Sequence, residues 1–140
     1  MLEGKVVDYY AMDLPITSLT AALLAFLFVG LALRVINLRR TGVGPSVGMN
    51  EDERFLRAVR SHANLAEYAP LFLILLALYE LQGGIQFVTL GTAILFVLGR
   101  IFHAIGFGFL GTGPWRTLGM VGTNAALLVL AGALVWSIAP

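Results

Sequence analysis

Four apolar runs, at about residues 15–38, 51–81, 85–109 and 115–139, each reach or exceed the roughly 20 residues an α-helix needs to cross a bilayer. Backbone polar groups in hydrocarbon are satisfied only within helices or closed barrels, and runs of this length are helices. The chain of 140 residues is 59% hydrophobic and 12% charged, with a mean hydropathy of +0.88. These values exclude a soluble domain. They predict one all-α unit over residues 1–140: an integral membrane protein folded as a four-transmembrane-helix bundle. No nucleic-acid partner is expected. Glu3, Asp8 and Asp13 stand where a cleavable signal would carry basic residues, so none is expected. With no cysteine, disulfides, thiol nucleophiles and cysteine metal sites are excluded.

The net charge of +1 is uninformative, but its placement is not. Arg34, Arg39, Arg40, Arg54, Arg57 and Arg60 surround the first connection, and Arg100 and Arg116 flank the third. The amino-terminal tail has only Lys5 as a base, and the turn near Gln82 and the carboxyl terminus have none. The positive-inside rule then places both arginine-bearing connections in the cytoplasm and both termini outside. After the glycine-rich segment that begins at Thr41, Asn50 and Glu53 read as an N-cap and its capping-box partner, which starts helix 2 near Glu51. From there to Leu81 is about 45 Å of helix against a hydrocarbon core of about 30 Å. The first turns therefore project into the cytoplasm, while Glu67 lies inside the inner leaflet.

Charge inside the membrane is expensive, so ionisable residues there pair, face a wet cavity or bind something polar. In helix 2, Arg57, Arg60, Asn64, Glu67 and Tyr68 fall within an arc of roughly 100°, one stripe of one face. His62 points roughly 120–160° away from it. The alternative to a binding site is a network of ion pairs and amides that holds helices together. In helix 3, Arg100, His103 and Phe107 share a face near the cytoplasmic end. Arg116 opens helix 4, where Gly119, Gly122 and Ala126 permit close helix contact. Gly106-Phe107-Gly108-Phe109-Leu110-Gly111 matches a dinucleotide fingerprint in letters only, since no strand precedes it. Two histidines without ligand spacing make no metal site.

The helix 2 segment resembles that of the MAPEG family, the membrane-associated proteins of eicosanoid and glutathione metabolism. Relatives there carry an arginine, an asparagine four residues on, an acid three later and commonly Tyr-x-Pro next, which here are Arg60, Asn64, Glu67, Tyr68 and Pro70. Val35-Ile36-Asn37-Leu38-Arg39-Arg40 and Gly99-Arg100-Ile101-Phe102-His103-Ala104 also look like bacterial members. The resemblance implies a homotrimer in a bacterial inner membrane, with glutathione as cosubstrate bound between subunits near the cytoplasmic side. Carried over by position, Arg39, Arg60, Asn64, Glu67 and Tyr68 hold the tripeptide. His62 matches a further contact position and, facing away, would serve the ligand of a neighbouring copy. Arg116 looks like the arginine that stabilises the thiolate, the catalytic role. Arg100, His103 and Phe107 are also expected in the binding site, although relatives acting on eicosanoids often have tyrosines where His103 and Phe107 stand. The expected activity is that of a glutathione-dependent transferase or peroxidase acting on hydrophobic electrophiles that arrive through membrane lipid. The alternatives are a noncatalytic lipid-binding or scaffolding trimer and a small transporter subunit.

Overall fold

The computed structural model describes residues 13–42, 52–110 and 113–139. Four antiparallel helices follow one another: α1 over Pro15–Arg40, α2 over Glu53–Leu81, α3 over Gln86–His103 and α4 over Pro114–Ile138. Each, with α3 taken on through Phe109, is long and apolar enough to cross a membrane. Leu23, Phe26, Phe87, Leu128 and Trp136 are exposed on the outer surface. Such a surface suits lipid, in which apolar side chains gain nothing by turning inward. The centre is packed instead by Leu24, Leu65, Phe72, Leu76, Phe96 and Leu130, with the Phe72 and Phe96 rings stacked at 3.9 Å. Buried Thr20, Thr89, Thr92 and Thr123 donate their hydroxyls to the carbonyl one turn back on their own helices. That removes the need for a partner elsewhere.

The first turn of α1 begins at Pro15 and receives no cap from Leu14. Its free N–H groups are met from α2 instead. Glu80 Oε1 accepts from the Ile16 N–H at 3.0 Å, and Oε2 accepts from the Thr17 N–H at 2.8 Å and the Thr17 hydroxyl at 2.7 Å. A carboxylate at the positive end of a helix is favourable. Glu80, a break in an apolar run by sequence, is thus a clasp between α1 and α2. Next to it, a Cβ on Gly84 would collide with the Tyr79 ring, and the Tyr79 hydroxyl accepts from the Ile85 N–H at 3.2 Å. Gly83, at φ +70°, supplies the left-handed turn.

The helix boundaries differ from the sequence reading at several points. Helix 2 starts at Glu53 rather than near Glu51, with Asp52 as N-cap. Asp52 Oδ1 accepts from the Arg54 N–H at 2.7 Å, and this bond holds the Asp52 carboxyl below its usual range. Glu53 accepts from Arg57 Nη1 at 2.8 Å. Asn50 and Glu51, the expected cap and first residue, lie outside the described residues. The third span does not stay α-helical to its end: Ala104–Phe109 is a π-helical turn. Helix 1 runs two residues past 38, to Arg40, with Thr41 as C-cap and Gly42 at φ +78° beyond it.

The small residues expected at a helix contact hold α3 against α4. A Cβ on Gly119 would strike the backbone of His103 and lie 2.6 Å from the Gly99 carbonyl oxygen. Backbone cannot swing aside as a side chain can. Gly119→Ala is therefore expected to cost about 1–3 kcal/mol, the range for overpacking, seen as a lower unfolding midpoint in detergent. Gly91→Ala is the control, because nothing lies within 4 Å of the added carbon. An equal effect of the two substitutions would show that the α3–α4 approach is not tight.

Candidate functional site

The arginine-bearing end of the bundle contains a pocket of about 220 Å³ lined by Arg60, Ala63, Asn64, Glu67, His103, Phe107 and Arg116. The α2 members recur at i, i+3, i+4 and i+7, the spacing that puts side chains on one helical face. His103 ends α3, and Phe107 follows within the π turn, their rings 5.7 Å apart. Arg116 reaches the same place from the first turn of α4 because Gly106 lets the chains touch. A Cβ on Gly106 would sit 2.5 Å from the Arg116 nitrogen and 2.8 Å from Trp115 Cβ. The Arg116 guanidinium then lies over the Phe107 ring, 4.6 Å from its centroid.

Arg60, Glu67 and Arg116 bring two cations and one anion to this pocket. Among the described residues none of the three makes an ion pair, the two bridges being Arg54–Asp52 and Arg57–Glu53. Arg60 and Glu67 are exposed on the single chain. The pocket is thus walled by α2, α3 and α4 and open along the α2 stripe.

Arg100 lies behind this wall rather than in it. It is 2% exposed, and its donors are met by neutral groups. Nε donates to Thr123 Oγ1 at 2.9 Å, Nη1 to Asn64 Oδ1 at 2.6 Å and Nη2 to Met120 Sδ at 3.6 Å. The Tyr68 and Phe96 rings flank its guanidinium at 5.2 and 5.9 Å. One consequence is chemical. With its carbonyl oxygen held by Arg100, Asn64 has its amide N–H groups left to offer the pocket.

Of the residues named from sequence, Arg60, Asn64, Glu67, His103, Phe107 and Arg116 meet in one pocket. Tyr68 and Arg100 support it from behind. Arg39 and His62 do not join it. Arg39 lies near the Phe55 ring, 5.6 Å from its centroid. His62 packs on Phe28 at 4.3 Å with Nε2 buried and without a partner among the described residues, on the far side of α2 as the helical wheel requires. Sequence reasoning missed Thr123 and Met120, which complete the Arg100 cradle from α4. Their placement on the Gly119 face, one turn apart, is the signal that could have found them.

The family model described as "MAPEG family" matches residues 17–136. The chain is also similar to the inner membrane protein YecN of Escherichia coli strain K12, 31% identical over 124 residues that cover 86% of this chain and 91% of that protein. YecN of E. coli O6:H1 strain CFT073 gives the same identity and coverage.

Proposed function

The chain belongs to the MAPEG family, and from that premise we propose that it is a membrane-bound glutathione-dependent transferase or peroxidase acting on hydrophobic electrophiles. The observation that carries the proposal is the charge set of the pocket: Arg60 and Arg116 beside Glu67, none in an ion pair among the described residues. Glutathione has carboxylates, one ammonium and, once ionised, a thiolate: Arg60 suits a carboxylate, Glu67 the ammonium and Arg116 the thiolate. Arginine forks bind carboxylates in paired, charge-assisted bonds, and the amide of Asn64 is oriented to donate one more. His103 and Phe107 close the floor. The thiolate would attack an electrophilic carbon, forming a C–S bond as the leaving group departs with its electron pair.

A pocket of about 220 Å³ is smaller than the roughly 300–1,000 Å³ typical of small-molecule sites. Its open side bears the exposed Arg60 and Glu67, which cannot face lipid unpaired at acceptable cost. A neighbouring copy that covers this stripe in a homotrimer answers both points, and Arg39 or His62 of that copy would then reach the ligand. The arginine-bearing end would face the cytoplasm, where glutathione is made and where basic residues favour the inner leaflet.

Isothermal titration of the detergent-purified protein with glutathione, with an aryl halide conjugation assay, tests the proposal. Glu67→Gln is expected to weaken glutathione binding about tenfold to a hundredfold, the loss of one charge-assisted contact of roughly 1.5–3 kcal/mol. Glutathione binding without turnover on any electrophile would make the chain a noncatalytic member. No binding at all would refute the reading.

A further inference from the structure

A second polar cluster sits on the α1 side of α2, away from the pocket. Arg34 has no carboxylate partner among the described residues. Its guanidinium carbon rests 3.9 Å from the Phe109 ring centroid, and its Nη1 is buried without an acceptor among the described residues. Gly108 lies against it: a Cβ there would be 2.9 Å from Arg34 Nη1 and 3.2 Å from Ser61 Oγ. Ser61 is 1% exposed, and its hydroxyl too has no partner among the described residues. Arg57, within Coulombic reach of Arg34, gives Nη1 to the exposed Glu53 but leaves a buried Nε unmet. Arg34 is thus a cation at the end of a membrane helix with no counter-charge among the described residues, where an anion is favoured.

An apolar groove of about 370 Å³ runs from this cluster along the α1–α3 seam, lined by Phe26, Leu27, Gly30 and Leu31 on one side and Ile105 and Phe109 on the other. Leu27, Leu31 and Arg34 follow one face of α1, so Arg34 occupies the turn that ends the groove. Phe109 belongs to both: its ring lines the groove and lies under the Arg34 guanidinium. A free anion would have no use for the apolar half, and a neutral hydrocarbon none for the arginines.

We propose that the groove and the Arg34 cluster together form a binding site for one anionic phospholipid of the leaflet at the arginine-bearing end. The phosphate takes the half-buried Arg34 guanidinium from its outer side, with Arg57 near it, and an acyl chain lies past Gly30 toward Phe26. Guanidinium pairs are suited to phosphate geometry, and basic sites at the ends of membrane helices bind lipid head groups. The lipid would neutralise Arg34 and fill the seam between α1 and α3. This site is separate from Arg60, Glu67 and Arg116 and does not depend on what they bind.

Native mass spectrometry of delipidated protein, titrated in neutral detergent, tests the assignment with phosphatidylglycerol, phosphatidylcholine and inorganic phosphate as probes. Phosphatidylglycerol is expected to bind at least tenfold more tightly than phosphatidylcholine and to resist millimolar inorganic phosphate. Arg34→Gln and Gly30→Leu are each expected to weaken it at least tenfold. Gly30→Leu is the variant least disturbing to folding, since nothing lies within 4 Å of a Cβ at that position, and it blocks the groove without touching a charge. Equal binding of the two lipids would overturn the proposal. So would displacement by inorganic phosphate together with an unaffected Gly30→Leu, which would identify a plain anion site. Glutathione titration of the same variants should match the wild type, which separates this result from the fate of the pocket.

Discussion

Replacing Arg116 with alanine is expected to lower turnover about 10²–10³-fold while leaving glutathione bound, the effect of removing one electrostatic stabiliser of developing or resident negative charge. Arg116 is the pocket arginine on the first turn of α4. It is held against the Phe107 ring, 4.6 Å from the centroid, and among the described residues no carboxylate draws its charge away. A permanently charged group in that position acts on whatever anion the pocket holds. Thiols titrate near 8.5 and fall by a unit or more beside such a cation. Stabilising the thiolate lowers the midpoint, so removing Arg116 must raise it. The pH–rate curve of the variant should therefore shift to higher pH, each unit corresponding to 1.36 kcal/mol. Arg116→Lys should recover part of the shift, because charge matters more here than the fork. The thiolate absorbance of bound glutathione, followed against pH, checks this without turnover. An unchanged midpoint in Arg116→Ala would assign the stabilising role elsewhere, with His103 the next group in the pocket.

The parts of this molecule that were legible in sequence are those governed by one helix at a time. Apolar length located all four spans, and a 100° rotation per residue put Arg57, Arg60, Asn64, Glu67 and Tyr68 on one stripe and His62 on another face. The structure has His62 against Phe28 and Arg60, Asn64 and Glu67 in the pocket, while Tyr68 stands behind it against Arg100 and Arg57 turns away to pair with Glu53. What sequence hid depends on how helices approach each other. Arg100 shares a face with His103 and Phe107 in an ideal helix, yet Gly99 and Gly119 draw α4 so close that the guanidinium is buried between helices. The π turn at Ala104–Phe109 has no one-helix signature either. It sits where Gly106 and Gly108 accept the backbone of α4 and the side chain of Arg34 at short range. Glu80 shows the same limit: a lone acid at the end of an apolar run gives no hint that its partners are the N–H groups of a helix more than 60 residues earlier.

The buried Arg100 supports a prediction in which two substitutions do less harm than one. Asn64→Leu removes the acceptor 2.6 Å from Nη1, leaving a charged donor unmet in a site 2% exposed. Unsatisfied charged groups cost more than the 1–3 kcal/mol of neutral ones, so a loss of about 3 kcal/mol or more is expected. Arg100→Met alone removes the charge and keeps much of the volume. It strands only the Asn64 carbonyl oxygen, because Thr123 still donates to the Gly119 carbonyl at 2.8 Å. The double variant Asn64→Leu/Arg100→Met leaves neither charge nor orphaned amide, and apolar replacement of buried charge is often neutral or better. It should therefore unfold at a higher temperature than Asn64→Leu, although it carries one more substitution. Thermal unfolding of the four proteins in one detergent closes the cycle, and the coupling energy is the quantity to read. If the double variant is no more stable than Asn64→Leu, Arg100 is finding another acceptor, and its grip on Asn64 does not orient the amide. Glutathione binding should fall in every member that lacks Asn64, whatever its stability. The folding role of the Arg100–Asn64 contact is thereby separated from the part Asn64 plays toward the ligand.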